Sequence, residues 1–244
     1  MQIRVLYPEI IINLTRTEIG PQFTNTFTSE FGVSTVSSFE SMSGFLDNQH
    51  WGIHGGVAPD ECSHVYEELN DCVGSNSLSQ RNYPCDNHIN HYFGDIDLNG
   101  VGREAFQKQL FLCLMSQLLW TKSVTETFRV SNSYGVLLWQ LNENWPTGGW
   151  GLIEYSGRLN EQGQVHGGRW KPTMFFLKQA LFQDMFFVCG KEGRCFIRND
   201  GVHTFSGKIV IESWHLSTGT SMMVMNRDVI VQGSGGNGTF KFKL

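Results

Sequence analysis

The chain has 244 residues, 40% apolar and 17% charged, with a formal net charge of −5 and a pI near 5.9. That balance suits a packed core in one large domain or two ordinary ones and excludes a disordered chain. No run of Lys or Arg occurs, so nucleic acid and anionic membrane are poor partners, and no stretch approaches the roughly 20 apolar residues that span a bilayer.

Residues 1–20 carry β-branched and alternating apolar side chains up to Gly20-Pro21 and predict one extended segment; they lack the basic start and long apolar run of a signal peptide. Residues 23–31, FTNTFTSEF, alternate aromatic and polar side chains, a strand pattern that Gly32 closes. Over 44–102 the chain turns polar and rich in Gly, Asn, His and Cys, with no period. An unstructured loop of that length is uncommon, so the reading is an insertion with short helices, stapled by Cys62, Cys72 or Cys85.

Over 103–129, Phe106, Leu110, Phe111, Leu114, Met115, Leu118 and Leu119 recur at three- and four-residue spacing, which predicts an amphipathic helix ended by Asn132 or Ser133. Cys113 lies within it and is expected to be a buried free thiol. Residues 134–141, YGVLLWQL, predict a buried parallel strand, and the loop NENWPTGGWG follows. Residues 170–187 predict a second helix with Pro172 in its first turn. From about residue 185 the segments CFIRND, SGKIVIESWHL, SMMVMNRDVIV and GTFKFKL alternate with turns at 199–201, 217–219 and 233–238, the pattern of a β-sandwich.

Cys189 and Cys195 flank a turn-like segment, and cysteines so placed suggest disulfides and an oxidising compartment, hence a secreted or lysosomal protein. The sequons at Asn13 and Asn237 add little, because such triplets arise often by chance. No C-x-x-C occurs, so the cysteines lack zinc-site spacing. His50, His54, His64, His88 and His91 populate the insertion, where solvated or hydrogen-bonding roles are the expectation and no metal is called for.

Two segments could carry chemistry. Glu30 ends a predicted strand between aromatic residues, and the strand running into Trp139-Gln140-Leu141-Asn142-Glu143-Asn144-Trp145 places polar groups at another strand end. In a barrel of parallel strands that rim is the catalytic face. A carboxylate on one strand end beside a Trp on the next would set a nucleophile against a sugar platform. Taken singly each is bland, since a lone Glu after a strand is usually a surface residue and a lone Trp is usually core.

Their order is more specific. FTSEFGVSTVSSFESM resembles the nucleophile segment of the β-mannosidases of glycoside hydrolase family 2, GVLLWQLNENWPTGGWGLIEY resembles their eighth barrel strand, and GGRWKPTMFFLKQALF resembles the helix that follows. QRNYPCDNHINHYFG stands where these enzymes carry a His-rich loop. The resemblance covers about residues 20–185 and implies an α/β fold, the C-terminal portion of a (β/α)8 TIM barrel over 1–184 with the insertion at about 44–102. A partial Ig-like β-sandwich over 185–244 would follow.

It also implies a retaining mechanism with Glu30 as nucleophile, Trp139 stacked under the sugar and followed by a cis peptide to Gln140, and Asn142 and Trp145 lining the mouth. Glu143 is assigned to the rim rather than to proton donation, and Asp86 and Arg81 receive no role. The acid/base is expected upstream of Met1, so the chain as it stands is expected to be an inactive fragment. A carbohydrate substrate and no cofactor are implied, with the oligomeric state open. Terminal β-mannose is the expected substrate, with β-glucosaminidase, β-galactosidase and a non-catalytic carbohydrate-binding pseudoenzyme as alternatives. A β-rich interaction module leaves the ordered motifs unexplained.

Overall fold

The computed structural model describes residues 2–8, 25–56, 78, 83–131, 133–146, 148–156, 162, 168–190, 193–215 and 217–241. Helices and small sheets are mixed, and among these residues no sheet closes into a barrel. None of the described helices is long and apolar enough to cross a membrane. The chain divides into two compact units, one of Glu30–Thr121 and Leu137–Phe176, the other of Met1–Ser29, Lys122–Val136 and Leu177–Leu244.

The long helix Arg103–Val130 has close to the span that the apolar spacing predicts, and the first unit is organised on its part up to Thr121. Phe106, Leu110, Leu112 and Cys113 join Val36, Phe39, Met42, Ile53, Leu78, Cys85, Ile89 and Leu98 in one buried cluster. Burying each large apolar side chain is worth about 1.5–3 kcal/mol, enough to hold the insertion against the helix. Phe111 falls outside the stripe and is exposed. The segment 44–102 contains the helix Tyr83–Phe93, a helix of the kind expected there. Buried Gln109 ties it further: its amide donates to the carbonyls of Leu98 and Gly100 at 2.9 and 2.7 Å and accepts from the Ile53 amide at 3.1 Å.

Cys113 is not a free thiol. It is bonded to Cys85, joining the insertion helix to the long helix. The apolar surroundings of Cys113 made it look like a simple core residue, and nothing local signals a partner 28 residues away. Cys62 and Cys72 lie outside the described residues.

Strand β2 (Phe27–Phe31) matches the second half of the predicted strand, and β4 (Gly135–Leu138) pairs with it. Bonds from Tyr134 N–H to Thr26 C=O and from Trp139 N–H to Phe31 C=O advance together, the sense of a parallel pair. The expected burial of this strand does not hold: Leu137 is 54% exposed and Gly135, Val136 and Leu138 are only half-buried, so neither face of β4 is fully covered. A second small sheet joins β3 (Thr35–Val36) to β5 (Gly148–Gly149), antiparallel.

In the other unit, β1 (Gln2–Pro8), β8 (Phe205–Trp214) and β9 (Ser221–Val231) form one sheet, with β1 parallel to β8. Strands β10 (Gly236–Lys241), β7 (Arg194–Asn199) and β6 (Met185–Cys189) form another, antiparallel throughout. Both sheets feed one buried cluster, Cys189, Cys195 and Ile197 from the latter with Ile209, Ile211 and Val231 from the former. Cys189 and Cys195 pair across the β6–β7 hairpin and are joined by a disulfide. The predicted turn at 217–219 is present and that at 233–238 is shorter, covering 233–235 before β10 begins, with Gly219 and Gly235 at positive φ of 68° and 92°. The helix predicted over 170–187 is shorter: Pro172–Phe176 is α-helical, Leu177–Leu181 is a π-turn, and β6 begins at Met185. In β6 Phe186 and Val188 are buried while Met185 and Phe187 pack on the shared cluster, so both strand faces are apolar and the run resembles a buried helix in sequence.

Candidate functional site

Glu30 lies on β2, exposed, with no hydrogen-bond or ion-pair partner among the described residues. One residue later the Phe31 carbonyl accepts the Trp139 amide at 2.8 Å, and the Phe31 ring lies 6.2 Å from that of Trp120. Gly32 follows because nothing larger fits: a Cβ there would sit 1.9 Å from the Trp139 carbonyl oxygen. The Trp139–Gln140 peptide is cis, as the resemblance implies.

Trp139, 49% exposed, opens onto a cleft of about 470 Å³ lined also by Gln140, Asn144, Trp145, Gly149 and Trp150. Three indoles with two carboxamides suit a pyranose, whose C–H face stacks on aromatic rings while its hydroxyls exchange hydrogen bonds with amides. Of the residues singled out in the sequence, Trp139 and Trp145 line this cleft; Glu30 and Asn142 do not. Asn142 is exposed and donates to the Glu143 carbonyl at 3.2 Å. Trp150, Asn144 and Gln140 are not singled out by the sequence, although all three stand in the quoted strand-eight segment and Trp150, like Trp145, lies in the loop NENWPTGGWG.

The cleft wall is a folded-back segment. Gln140 N–H bonds to the Trp150 carbonyl at 3.2 Å, Leu152 and Ile153 both donate to Leu141, and Glu143 N–H donates to Ile153. The Trp145 indole donates to the Gly148 carbonyl at 2.5 Å. Buried Gln117 on the long helix holds three pieces at once: its amide donates to Val33 and Gly151 carbonyls at 3.3 and 3.4 Å and accepts from Thr173 at 3.2 Å.

Glu143 does not stand on the rim. Its side chain is fully buried in an ion pair with Lys171, itself fully buried, and it accepts the Gly151 amide at 3.1 Å. Burial pushes the Lys171 ammonium below its usual pKa, against the pull of Glu143 and of Glu154. Glu154 is buried too, and takes bonds from the Ser38 amide and hydroxyl at 2.7 and 2.8 Å and from the Ser41 hydroxyl. It thereby satisfies the start of the short helix Phe39–Met42, which has no side-chain cap of its own.

Among the insertion histidines, His54 pairs with Asp86 at 3.1 Å, so Asp86 is committed to that ring. The bond from Asp86 raises the His54 pKa more than burial lowers it, and the charges of Asp86 and Asp97 and a hydrogen bond with Asn99 add to the rise. Burial, helped by His91, lowers that of His88. His64 and Arg81 lie outside the described residues.

No family model matches this sequence, and no curated protein matches it. Solved structures that it matches include a β-D-mannosidase from Dictyoglomus thermophilum, at a TM-score of 0.54 and 18% identity over 88% of this chain and 23% of that one. The chain has a distantly glycosidase-like fold. It spans about a quarter of the length of that enzyme.

Proposed function

We propose that this chain is part of the catalytic region of a retaining exo-β-glycosidase of glycoside hydrolase family 2 type, acting on terminal β-linked mannose. In this reading Glu30 is the nucleophile, Trp139 the sugar platform, and Asn142 and Trp145 flank the mouth. Residues up to 184 belong to a TIM-barrel portion, and 185–244 begin an Ig-like sandwich. The observation that carries the reading is the main-chain tie between Phe31 and Trp139, which couples the strand end bearing Glu30 to an aromatic cleft of monosaccharide scale. The disulfides Cys85–Cys113 and Cys189–Cys195 support an oxidising, secretory or lysosomal setting.

The test uses 2-deoxy-2-fluoro-β-mannosyl fluoride. A Glu30 carboxylate oxygen forms a bond to C1 as the C1–F bond breaks and fluoride leaves. Fluoride needs no protonation, so the test is independent of any general acid. Mass spectrometry is expected to find the 2-fluoromannosyl ester on the peptide holding Glu30 and none in Glu30→Gln. A label on another carboxylate, or no label, overturns the assignment.

A second reading, a non-catalytic carbohydrate-binding chain, is favoured by one observation: the cleft is lined by indoles and carboxamides, and Glu30 is not among its lining residues. Sugar binding without labelling would select it.

A further inference from the structure

The Glu143–Lys171 pair is costly. Both side chains are fully withdrawn from water, and the second carboxylate oxygen of Glu143, Oε2, is buried with no hydrogen-bond partner. Removing two charges from water costs more than a buried pair commonly returns, and an apolar pair of the same volume is often as stable. Stability alone is therefore a weak account of why charges stand here.

Their position supplies a better one. Glu143 immediately precedes Asn144 and Trp145, and Gly151, which donates to its Oε1, immediately follows Trp150. The carboxylate thus fastens both ends of the segment whose side chains form the cleft. Its Oε2 lies directly behind Gly149, a lining residue, where a Cβ would come within 2.7 Å of that oxygen. Gly151 is similarly confined, since its Cβ would lie 2.6 Å from the Glu143 amide nitrogen and 2.9 Å from the carboxyl carbon. Lys171 is brought to Glu143 from beneath by its own amide, which donates to Leu152 at 2.9 Å, while Glu154 N–H bonds to Arg169 at 2.8 Å. Hydrophobic contact would fill this space without direction. A charge-assisted bond sets both distance and angle.

We infer that Glu143 and Lys171 are positioning residues: the buried pair holds Glu143–Trp145 and Gly149–Gly151 together, and so sets Trp145 and Trp150 in the cleft that Trp139 also lines. The role in sugar binding rests on the glycosidase reading above; the role in shaping the cleft does not.

The experiment compares the full chain with a Glu143→Leu/Lys171→Met double variant, which leaves no orphaned charge. Hydrogen exchange at the Trp145 indole N–H is followed by ¹⁵N NMR, β-1,4-mannobiose is titrated by tryptophan fluorescence, and melting temperature is recorded. The double variant is expected to melt within roughly 5 °C of the parent. Its Trp145 indole should exchange roughly tenfold faster or more, and the mannobiose Kd should rise by a similar factor, as small misplacements of positioning groups do. A folded double variant with parental Trp145 exchange overturns the inference. If the parent gives no mannobiose response, the mannose reading fails while Trp145 exchange still decides the positioning role. If the double variant does not fold, Glu143→Gln/Lys171→Met decides instead: the amide oxygen still accepts from Gly151 but the tie to Lys171 is cut, so accelerated exchange supports the inference and parental exchange overturns it.

Discussion

The amide of Trp139 donates to the carbonyl of Phe31 at 2.8 Å, which fixes the backbone of the candidate sugar platform to the strand carrying Glu30. Gly32 permits that approach, and Gly32→Ala puts a methyl carbon 1.9 Å from the Trp139 carbonyl oxygen. The backbones must part. Unfolding in urea is expected to show a loss of about 1–3 kcal/mol, the usual cost of overpacking. Parental stability would mean that the two strands separate freely.

Gln117 makes three bonds from one buried amide, to Val33, Gly151 and Thr173. Gln117→Met keeps its length and leaves two carbonyls and a hydroxyl without their partner. A cost of about 1–3 kcal/mol follows from the unsatisfied groups. Quenching of the cleft tryptophans by acrylamide should rise as well, because Gly151 is one of the points released. Unchanged quenching would show that Gly151 is held without Gln117.

The two disulfides close loops of different length, 28 and 6 residues apart in sequence. In the chain-entropy account they contribute about 3.5 and about 2 kcal/mol. Cys85→Ala/Cys113→Ala is therefore expected to be the more damaging pair in denaturant titrations. The reverse order would locate the stabilisation in native packing rather than in the unfolded chain.

The His54–Asp86 pair carries a pH signature. Because the folded-state pKa of His54 is raised above its ordinary 6.5, the stabilisation is fully present below about pH 6.5 and is lost as pH rises through the folded value. Melting temperature should therefore decline on the alkaline side of that window, and Asp86→Asn should remove most of that decline. An NMR titration of the His54 ring reads the same shift directly; an unshifted midpoint would sink the prediction.

Periodicity made the long helix legible, because Phe106, Leu110 and Leu114 mark one face regardless of what covers it. Turn chemistry did the same for Gly219 and Gly235, where a positive φ favours glycine. The motif around Trp139 led to the cleft, yet only Trp139 and Trp145 of its six lining residues are singled out by the sequence. What escaped depends on distant partners: Cys113 on Cys85, Glu143 on Lys171 28 residues later, and the start of the helix Phe39–Met42 on Glu154. A charged residue in a polar loop looks solvated until the glycines around it are seen to leave it no water.

Strand β1 pairs with β8 in a register that sets Ile3 beside Ile209. During synthesis Gln2–Pro8 leaves the ribosome more than 200 residues before its partner exists, a wait of roughly 10–40 s at ordinary elongation rates. The β8–β9 hairpin needs only its own turn to form, and closing a hairpin takes on the order of microseconds. Strand β1 is thus out of the ribosome and without its partner throughout that wait, and until β8 is made its amides and carbonyls are open to any other extended chain. Of the two strands in this pair, the one made first is therefore the one left open longest to pairing with a neighbour.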